Sequence, residues 1–259
     1  MIRVAAVGDI HMGPDSQGLL RPSFDTLGEC ADLLLLAGDL TRHGSVPEAE
    51  VVAREIKDLP VPVVAVLGNH DHHGGHPDEV TALLGEAGAQ VLEGQATVVT
   101  CADGTRVGVA GTKGFGGGFV GRCAGEFGEP VMKEFVAYSR RRADGLREAL
   151  EELRERDCDA RIALTHFSPV ADTLAGEPLE IYPFLGSYLL AEAIDTAGAD
   201  LAVHGHAHRG TEHGMTSGGV RVRNVAQPVI GRAFHVYRLH TDATADGTDA
   251  PDGGRPRRP

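Results

Sequence analysis

The chain has 259 residues, 42% of them hydrophobic, and a formal net charge of −13 at pH 7. This length suits one large domain or two small ones, and the apolar content is sufficient for a buried core. The negative charge repels polyanions, so it argues against a protein that coats nucleic acid and favours a small phosphorylated substrate.

Two further features of the sequence indicate where in the cell the protein is found. It has no apolar run of the roughly 20 residues that a membrane span requires, and its first residues lack the features of a signal peptide. The four cysteines form no C-x-x-C pair, which is typical of reduced thiols. We therefore expect a cytoplasmic protein without membrane association, while the oligomeric state stays open.

Short apolar runs alternate with segments of helical periodicity along the chain. The runs at 2–7, 33–37, 61–67, 107–110, 162–165, 201–204, 220–225 and 234–239 are predicted strands. The segments 47–59, 77–87, 130–156 and 185–197 are predicted helices, and Gly145 is expected to divide the third. The alternation predicts an α/β fold in which layers of β-sheet are covered by helices.

The C-terminal residues differ in composition from the rest of the chain. Residues 241–259 are rich in Thr, Asp, Ala, Gly, Pro and Arg, and such a segment buries too little apolar surface to become ordered. We therefore predict one domain over residues 1–240 and a disordered tail over residues 241–259.

Polar motifs follow the ends of five predicted strands. In chain order they are D-x-H, G-D, G-N-H-D, a single H and G-H-x-H. Sites in open α/β sheets form beyond the carboxyl ends of the strands, so these motifs are expected to share one rim. Each motif is weak evidence alone, but the ordered set indicates a metal centre. The candidate ligands are Asp9, His11, Asp39, Asn69, His166, His206 and His208.

The five motifs, spread over residues 8–208, resemble those of the calcineurin-like metallophosphoesterase superfamily. The resemblance implies a layered β-sandwich of mixed sheets flanked by helices, and a binuclear metal centre in which Asp39 bridges the two ions. It implies that one ion binds Asp9, His11, Asp39 and His208. It implies that the other ion binds Asp39, Asn69, His166 and His206.

The types of ligand and their charge indicate which metals could bind and which reaction they could support. Carboxylate, amide and imidazole donors suit Mn, Fe, Zn or Co, as two divalent or mixed-valence ions, with Mn or Fe favoured. Two such ions leave a net positive centre that favours a phosphate anion, and they make a bridging hydroxide available as the nucleophile. In the family pattern His70 is not a ligand, and we assign it transition-state stabilisation and proton donation to the leaving oxygen.

The second and third motifs narrow the type of phosphoesterase. Protein serine/threonine phosphatases carry G-D-x-x-D-R-G and G-N-H-E, whereas this chain has Arg42 in place of the second acid and ends the third motif in Asp71. Its G-D-L-T and G-N-H-D motifs are more similar to those of the bacterial class III cyclic-nucleotide phosphodiesterase branch.

We therefore expect a phosphodiesterase acting on a small or nucleotide substrate, with a phosphomonoesterase as the alternative. An inactive metal-binding regulator and a nuclease subunit are alternatives of another class. The acidic charge argues against a nuclease but does not exclude one.

Several residues near the motifs are candidates for other roles. Arg42, His43 and Lys113 are candidate substrate contacts, since their side chains can meet a phosphate. The glycine-rich segment 111–121 is either a ligand-binding loop or a flexible connector. His204, just before the last motif, is interpreted as structural or as a hydrogen-bond partner of a metal-bound histidine.

Overall fold

Two β-sheets packed face to face form the centre of the structure, a computed structural model that describes residues 1–240. The predicted disordered tail lies outside the described residues. The strands are β1 (Ile2–Val7), β2 (Leu33–Ala37), β3 (Val63–Val66), β4 (Ala89–Val91), β5 (Gln95–Thr100), β6 (Arg106–Thr112), β7 (Gly118–Phe119), β8 (Arg122–Cys123), β9 (Ala160–Thr165), β10 (Leu201–His204), β11 (His213–Met215), β12 (Arg221–Asn224) and β13 (His235–Leu239).

Both large sheets are mixed. The first has the strand order β13-β1-β2-β3-β4, in which β13 is antiparallel to β1 and the other neighbours are parallel. The second has the order β11-β12-β10-β9-β6-β5, and its edge strands β11 and β5 are antiparallel to their neighbours. Strands β7 and β8 form a separate small hairpin.

Helices cover the outer face of each large sheet. The α-helices of residues 1–240 are α1 (Arg21–Phe24), α2 (Leu27–Cys30), α3 (Val46–Ile56), α4 (Pro77–Glu86), α5 (Pro130–Glu155), α6 (Tyr182–Leu185), α7 (Tyr188–Ala197) and α8 (Gln227–Ile230). Helices α3 and α4 pack on the first sheet, and α5 and α7 pack on the second. The predicted layered α/β fold is confirmed.

The alternation of side chains along each strand divides the apolar residues between the layers. On β2, Leu33 and Leu35 face the second sheet, whereas Leu34 and Leu36 pack among the residues under α3 and α4. All four leucines are fully buried. A strand buried on both faces is a continuous apolar run, which explains why β2 has no polar residue.

Helix α5 is continuous from Pro130 to Glu155, so the expectation that Gly145 would divide it was wrong. The helix passes close to the turn before β5, and a Cβ on Gly145 would lie 3.4 Å from the Cα of Gly94. A missing side chain at this position lets the two backbones approach, and it does not interrupt the helical hydrogen bonds.

The predicted helix 185–197 begins later than expected, at Tyr188. The Ser187 side chain accepts a hydrogen bond from the backbone N–H of Leu189, 3.3 Å away, and so caps the first turn. Leu185 belongs instead to the preceding helix α6.

Among residues 1–240, no helix combines the length and apolar character needed to cross a membrane. The cytoplasmic location stays a prediction.

Truncation of a side chain between the sheets tests this packing. Leu35→Ala should lower the free energy of unfolding by about 2 to 5 kcal/mol, because it removes buried apolar contacts and leaves a cavity. Urea denaturation followed by circular dichroism measures the change. Val120→Ala, at a residue that is 85% exposed, is the control and should alter stability by less than about 0.5 kcal/mol. Equal effects of the two substitutions would contradict the proposed packing.

Candidate metal centre

The candidate ligands follow the carboxyl ends of strands from both large sheets. Asp9 and His11 follow β1, Asp39 follows β2, and Asn69 follows β3 in the first sheet. His166, His206 and His208 follow β9 and β10 of the second sheet. The two sheets join at this point, because the Gly8 N–H donates to the Val225 carbonyl at 2.9 Å.

One group of candidate ligands surrounds the side chain of Asp9. The donor atoms of Asp9, His11, Asp39 and His208 all lie within 4.8 Å of one another. His208 Nε2 is 2.9 Å from Asp9 Oδ1, and His11 Nε2 is 3.5 Å from His208 Nε2. This group contains the four residues that the family resemblance assigns to one ion.

A second group shares Asp39 with the first. The donor atoms of Asp39, His166 and His206 also lie within 4.8 Å of one another. Asn69 joins them, since its Oδ1 is 3.0 Å from His166 Nε2, which is 3.3 Å from Asp39 Oδ1. The structure thus brings together all seven candidate ligands in two groups, with Asp39 in both.

Hydrogen bonds to backbone carbonyls orient two of the imidazole rings. His166 Nδ1 donates to the Ala37 carbonyl at 2.8 Å, and His206 Nε2 donates to the Phe184 carbonyl at 3.2 Å. These bonds leave Nε2 of His166 and Nδ1 of His206 as the nitrogens that could bind a metal. Such partners fix the ring orientation and the tautomer of metal-binding histidines.

Burial and mutual charge control protonation in the second group. Burial disfavours the charged form of both Asp39 and His166, but their charge interaction and hydrogen bond outweigh it. The pKa of Asp39 is held well below its usual range, and the pKa of His166 is raised to about 9. Burial, aided by the charge of His166, lowers the pKa of His206 to about 3. A metal at His166 Nε2 would therefore have to displace a proton.

The backbone is strained where the ligands leave the strands. Among residues 1–240, the non-glycine residues with φ between +41° and +70° are Asp9, His11, Asp39, Asp58 and His206. All of them except Asp58 are candidate ligands. Left-handed conformations at non-glycine residues are uncommon and cluster at functional sites, where they direct side chains to positions that a regular strand cannot reach.

The glycines that precede the ligands are required by close packing. A Cβ on Gly68 would collide with the Asp39 carboxylate, and a Cβ on Gly205 would collide with the Asp9 carboxylate. The glycines of the G-N-H-D and G-H-x-H motifs therefore make room for ligands that come from other loops.

His70 lies beside the second group without entering it. Its Nδ1 donates to the Arg42 carbonyl at 2.7 Å, and its Nε2 is 3.9 Å from Asp39 Oδ2. Its backbone N–H donates to Asp39 Oδ1 at 2.8 Å. The hydrogen bond to the Arg42 carbonyl therefore orients the ring so that Nε2 faces Asp39.

Arg42 and His43 lie on the loop next to His70, and both are engaged by acids. Arg42 Nη1 is 2.7 Å from Asp15 Oδ1, and its Nε donates to the His11 carbonyl at 3.1 Å. His43 Nδ1 is 3.1 Å from Glu48 Oε1, and its side chain is 68% exposed. Their assignment as substrate contacts stays a prediction.

Lys113 is buried rather than exposed to the cleft. Its ammonium lies over the ring of Phe115 at 5.0 Å and over those of Tyr138 and Phe167 at 5.5 and 5.3 Å. Burial lowers the pKa of its side chain. Its backbone carbonyl accepts the N–H of His166 at 3.1 Å, so it supports a candidate ligand, and substrate contact by its side chain stays a prediction.

The glycine-rich segment packs against another part of the backbone. The Gly117 N–H donates to the Pro183 carbonyl at 2.7 Å, and the Gly118 N–H donates to the Gly186 carbonyl at 2.9 Å. A Cβ on Gly116 would collide with the Pro183 carbonyl. Close backbone packing thus explains several of these glycines, and neither ligand group includes a residue of this segment.

Asp71 has a structural role that the sequence reasoning missed. Its carboxylate is fully buried and accepts hydrogen bonds from the N–H groups of Thr41 and Gly68, both at 2.8 Å. It also accepts the Thr41 hydroxyl at 2.6 Å. Asp71 therefore ties the G-D loop to the G-N-H-D loop. The final Asp of the G-N-H-D motif is the sequence feature that could have identified this role.

His204 is fully buried, and its Nε2 is 2.8 Å from the Thr173 hydroxyl. Its Nδ1 donates to the Gly205 carbonyl at 2.7 Å. Burial lowers the pKa of its ring to about 4. These contacts hold the loop that carries His206 and His208, which agrees with the structural interpretation.

The donor set fits transition metals. Each group combines carboxylate oxygen with imidazole nitrogen, and the second adds the amide oxygen of Asn69. Mn, Fe, Zn and Co accept such mixed ligands, whereas Ca²⁺ and Mg²⁺ prefer oxygen alone.

Comparison with known proteins identifies the family. The model of the calcineurin-like phosphoesterase family matches residues 2–210, so the chain belongs to that family. The predicted superfamily resemblance is confirmed.

Two curated relatives carry a more specific name. A probable cyclic nucleotide phosphodiesterase of Synechococcus sp. is 31% identical over 96 residues, which cover 33% of this chain and 36% of the relative. One of Fibrobacter succinogenes is 32% identical over 81 residues, which cover 28% of this chain and 32% of the relative. The aligned regions thus span about a third of each relative.

Solved structures resemble the fold at low identity. The protein TT1561 of Thermus thermophilus has a TM-score of 0.51 and 18% identity, and the match covers 86% of this chain and 88% of that one. This similarity shows the fold alone.

A single methyl group tests the arrangement of the ligands. Gly68→Ala should displace the Asp39 carboxylate and greatly reduce the metal bound per protein, because the new Cβ would occupy its place. Mass spectrometry of the dialysed, Mn²⁺-loaded protein measures the metal content. Gly85→Ala is the matched control, since a Cβ there meets no atom within 4 Å. Unchanged metal content in Gly68→Ala would be inconsistent with the proposed role of Asp39.

Proposed function

We propose that the protein is a binuclear metal-dependent phosphodiesterase that acts on a small or nucleotide substrate. The observation that carries the proposal is the division of the candidate ligands into two groups that share Asp39. A carboxylate shared between two groups is suited to hold two ions a few ångströms apart, as in two-metal hydrolytic sites.

The proposed ligands are those of the two groups. Asp9, His11, Asp39 and His208 would hold one ion, and Asp39, Asn69, His166 and His206 would hold the other. Two divalent or mixed-valence ions, Mn or Fe by preference, suit these donors. When bound, the ions supply Lewis acidity and make hydroxide available as the nucleophile near neutral pH.

His70 is suited to act on the leaving group. Because its Nδ1 donates to the Arg42 carbonyl, its Nε2 is the nitrogen that faces the centre, 3.9 Å from Asp39 Oδ2. The imidazolium form can donate the Nε2 proton to the departing ester oxygen and stabilise its negative charge. The side chain is 40% exposed, so a substrate can reach it.

The choice of a diester rests on the motifs and on the curated relatives. The G-D-L-T and G-N-H-D motifs and the cyclic nucleotide phosphodiesterase names of both relatives favour it. A phosphomonoesterase is the second candidate, because the same donors would serve it. An inactive regulator would be expected to lose a ligand or His70, yet all are present. The charge of −13 disfavours a nuclease subunit.

Replacement of His70 separates catalysis from metal binding. His70→Asn should leave the metal content unchanged and lower kcat about 100- to 10,000-fold, because it removes the proton donor but no ligand. His76→Asn is the matched control, since His76 contacts Glu79 of helix α4 and lies outside both ligand groups. Metal analysis and steady-state kinetics measure the two effects. Full activity of His70→Asn would refute the assigned role.

A panel of substrates tests the proposed activity. The Mn²⁺-loaded protein should hydrolyse bis-p-nitrophenyl phosphate and cyclic nucleotides faster than p-nitrophenyl phosphate or single-stranded DNA. Faster hydrolysis of the monoester would favour the phosphomonoesterase. No hydrolysis of any substrate by protein that retains two metals would favour the regulator.

A further inference from the structure

A cavity of about 520 Å³ opens beside the first ligand group. It shares His11 with that group, so a molecule bound at the centre can extend into it. The ionisable residues that line it are His11, Arg42 and Arg232, and none of its lining residues is acidic. In a chain of net charge −13, the lining thus contains two arginines, of which Arg42 is paired with Asp15.

The connection after β12 places Arg232 at this cavity. The Gln227 N–H donates to the Gly8 carbonyl at 2.9 Å, which docks the start of α8 next to the loop that carries Asp9 and His11. The helix ends after one turn at Gly231, which has φ +63°, and Arg232 follows it. The hydrogen bonds at the end of β1 thus fix both a candidate ligand and an arginine beside it.

The two arginines of the cavity differ in their partners. The guanidinium of Arg42 is paired with Asp15 and also donates to the Ser16 hydroxyl at 3.0 Å. Arg232 donates through Nε to the Ile230 carbonyl at 3.3 Å, and within residues 1–240 no carboxylate lies within 4.0 Å of its guanidinium. Its Nη groups therefore have capacity to bind an anion, and a guanidinium can bind phosphate through two parallel hydrogen bonds.

We propose that this cavity binds a second anionic group of the substrate, and that Arg232 is the residue that selects it. The inference rests on the proposed phosphodiesterase function. The substrate class is a phosphodiester with a further phosphate or carboxylate beyond the scissile group. The scissile phosphate lies at the metal centre, the second anion lies beyond His11, and Arg232 contributes to binding of the second anion alone.

Two diesters that differ in one phosphate test the proposal. They are thymidine 5′-(p-nitrophenyl phosphate) and the same compound with a 3′-phosphate, and release of nitrophenolate by the Mn²⁺-loaded protein gives kcat and KM for each. The wild-type protein should have the lower KM for the compound with the 3′-phosphate. Arg232→Ala should raise that KM about tenfold, the effect of losing one hydrogen-bonded charge, and leave its kcat unchanged.

The control variant removes the same charge elsewhere. Arg238→Ala alters an exposed residue of the neighbouring strand β13, outside the cavity, and should have no effect on either KM. A binding measurement adds a readout that is independent of turnover. Calorimetry should show that thymidine 3′,5′-bisphosphate binds the wild-type protein about tenfold more tightly than Arg232→Ala.

The outcomes distinguish the inference from the function on which it rests. If Arg232→Ala raises both KM values equally, Arg232 contacts the scissile phosphate and the inference is wrong. If it changes neither KM nor the affinity for the bisphosphate, the inference is also wrong, although the phosphodiesterase proposal survives. If neither diester is hydrolysed but bisphosphate binding depends on Arg232, the anion site stands and the phosphodiesterase proposal fails.

Discussion

The carboxylate of Asp39 is almost completely buried where the two sheets meet, so its negative charge needs partners from both of them. Without a metal, those partners are the His70 N–H from the first sheet and the His166 ring from the second. An isolated buried charge costs several kcal/mol, so the surrounding residues are constrained to supply donors or cations. The two-metal proposal is consistent with this constraint, since cations at both carboxylate oxygens would satisfy it.

The local geometry around Asp39 also brings partners close to its buried carboxylate. Left-handed backbone at Asp9, Asp39 and His206 turns their side chains inward at the strand ends. Gly68 leaves room for the Asp39 carboxylate, and Asp71 holds the two loops on either side of it. These features are costly or restrictive for the fold, and their concentration in one place is typical of a functional site.

Much of this arrangement could be predicted from the sequence, because strand ends and ligand types are local properties. Each candidate ligand follows a strand whose apolar run is recognisable, and parallel strands deliver their carboxyl ends to one edge. Strand β4 was missed because it has only 3 residues, and β5 (Gln95–Thr100) was missed because most of its side chains are exposed or half-buried. Their formation depends on pairing with β3 and β6, which a local pattern does not encode.

The roles of charged side chains were harder to predict, because they too depend on residues that are distant in the sequence. Arg42 was expected to contact substrate, but whether its guanidinium is available depends on Asp15, which belongs to another loop. Lys113 was chosen for its charge, yet the aromatic residues that cover it come from three different segments. Arg232 was not a candidate from the sequence, because its place beside His11 arises from hydrogen bonds between the ends of β1 and β12.

The most direct test of the shared carboxylate is a crystal structure of the Mn²⁺-loaded protein with anomalous diffraction data. A shared Asp39 predicts two anomalous peaks, each within coordination distance of a carboxylate oxygen of Asp39. One peak should also contact His208 and the other His166. A single peak, or two peaks that do not share Asp39, would contradict a binuclear centre bridged by Asp39.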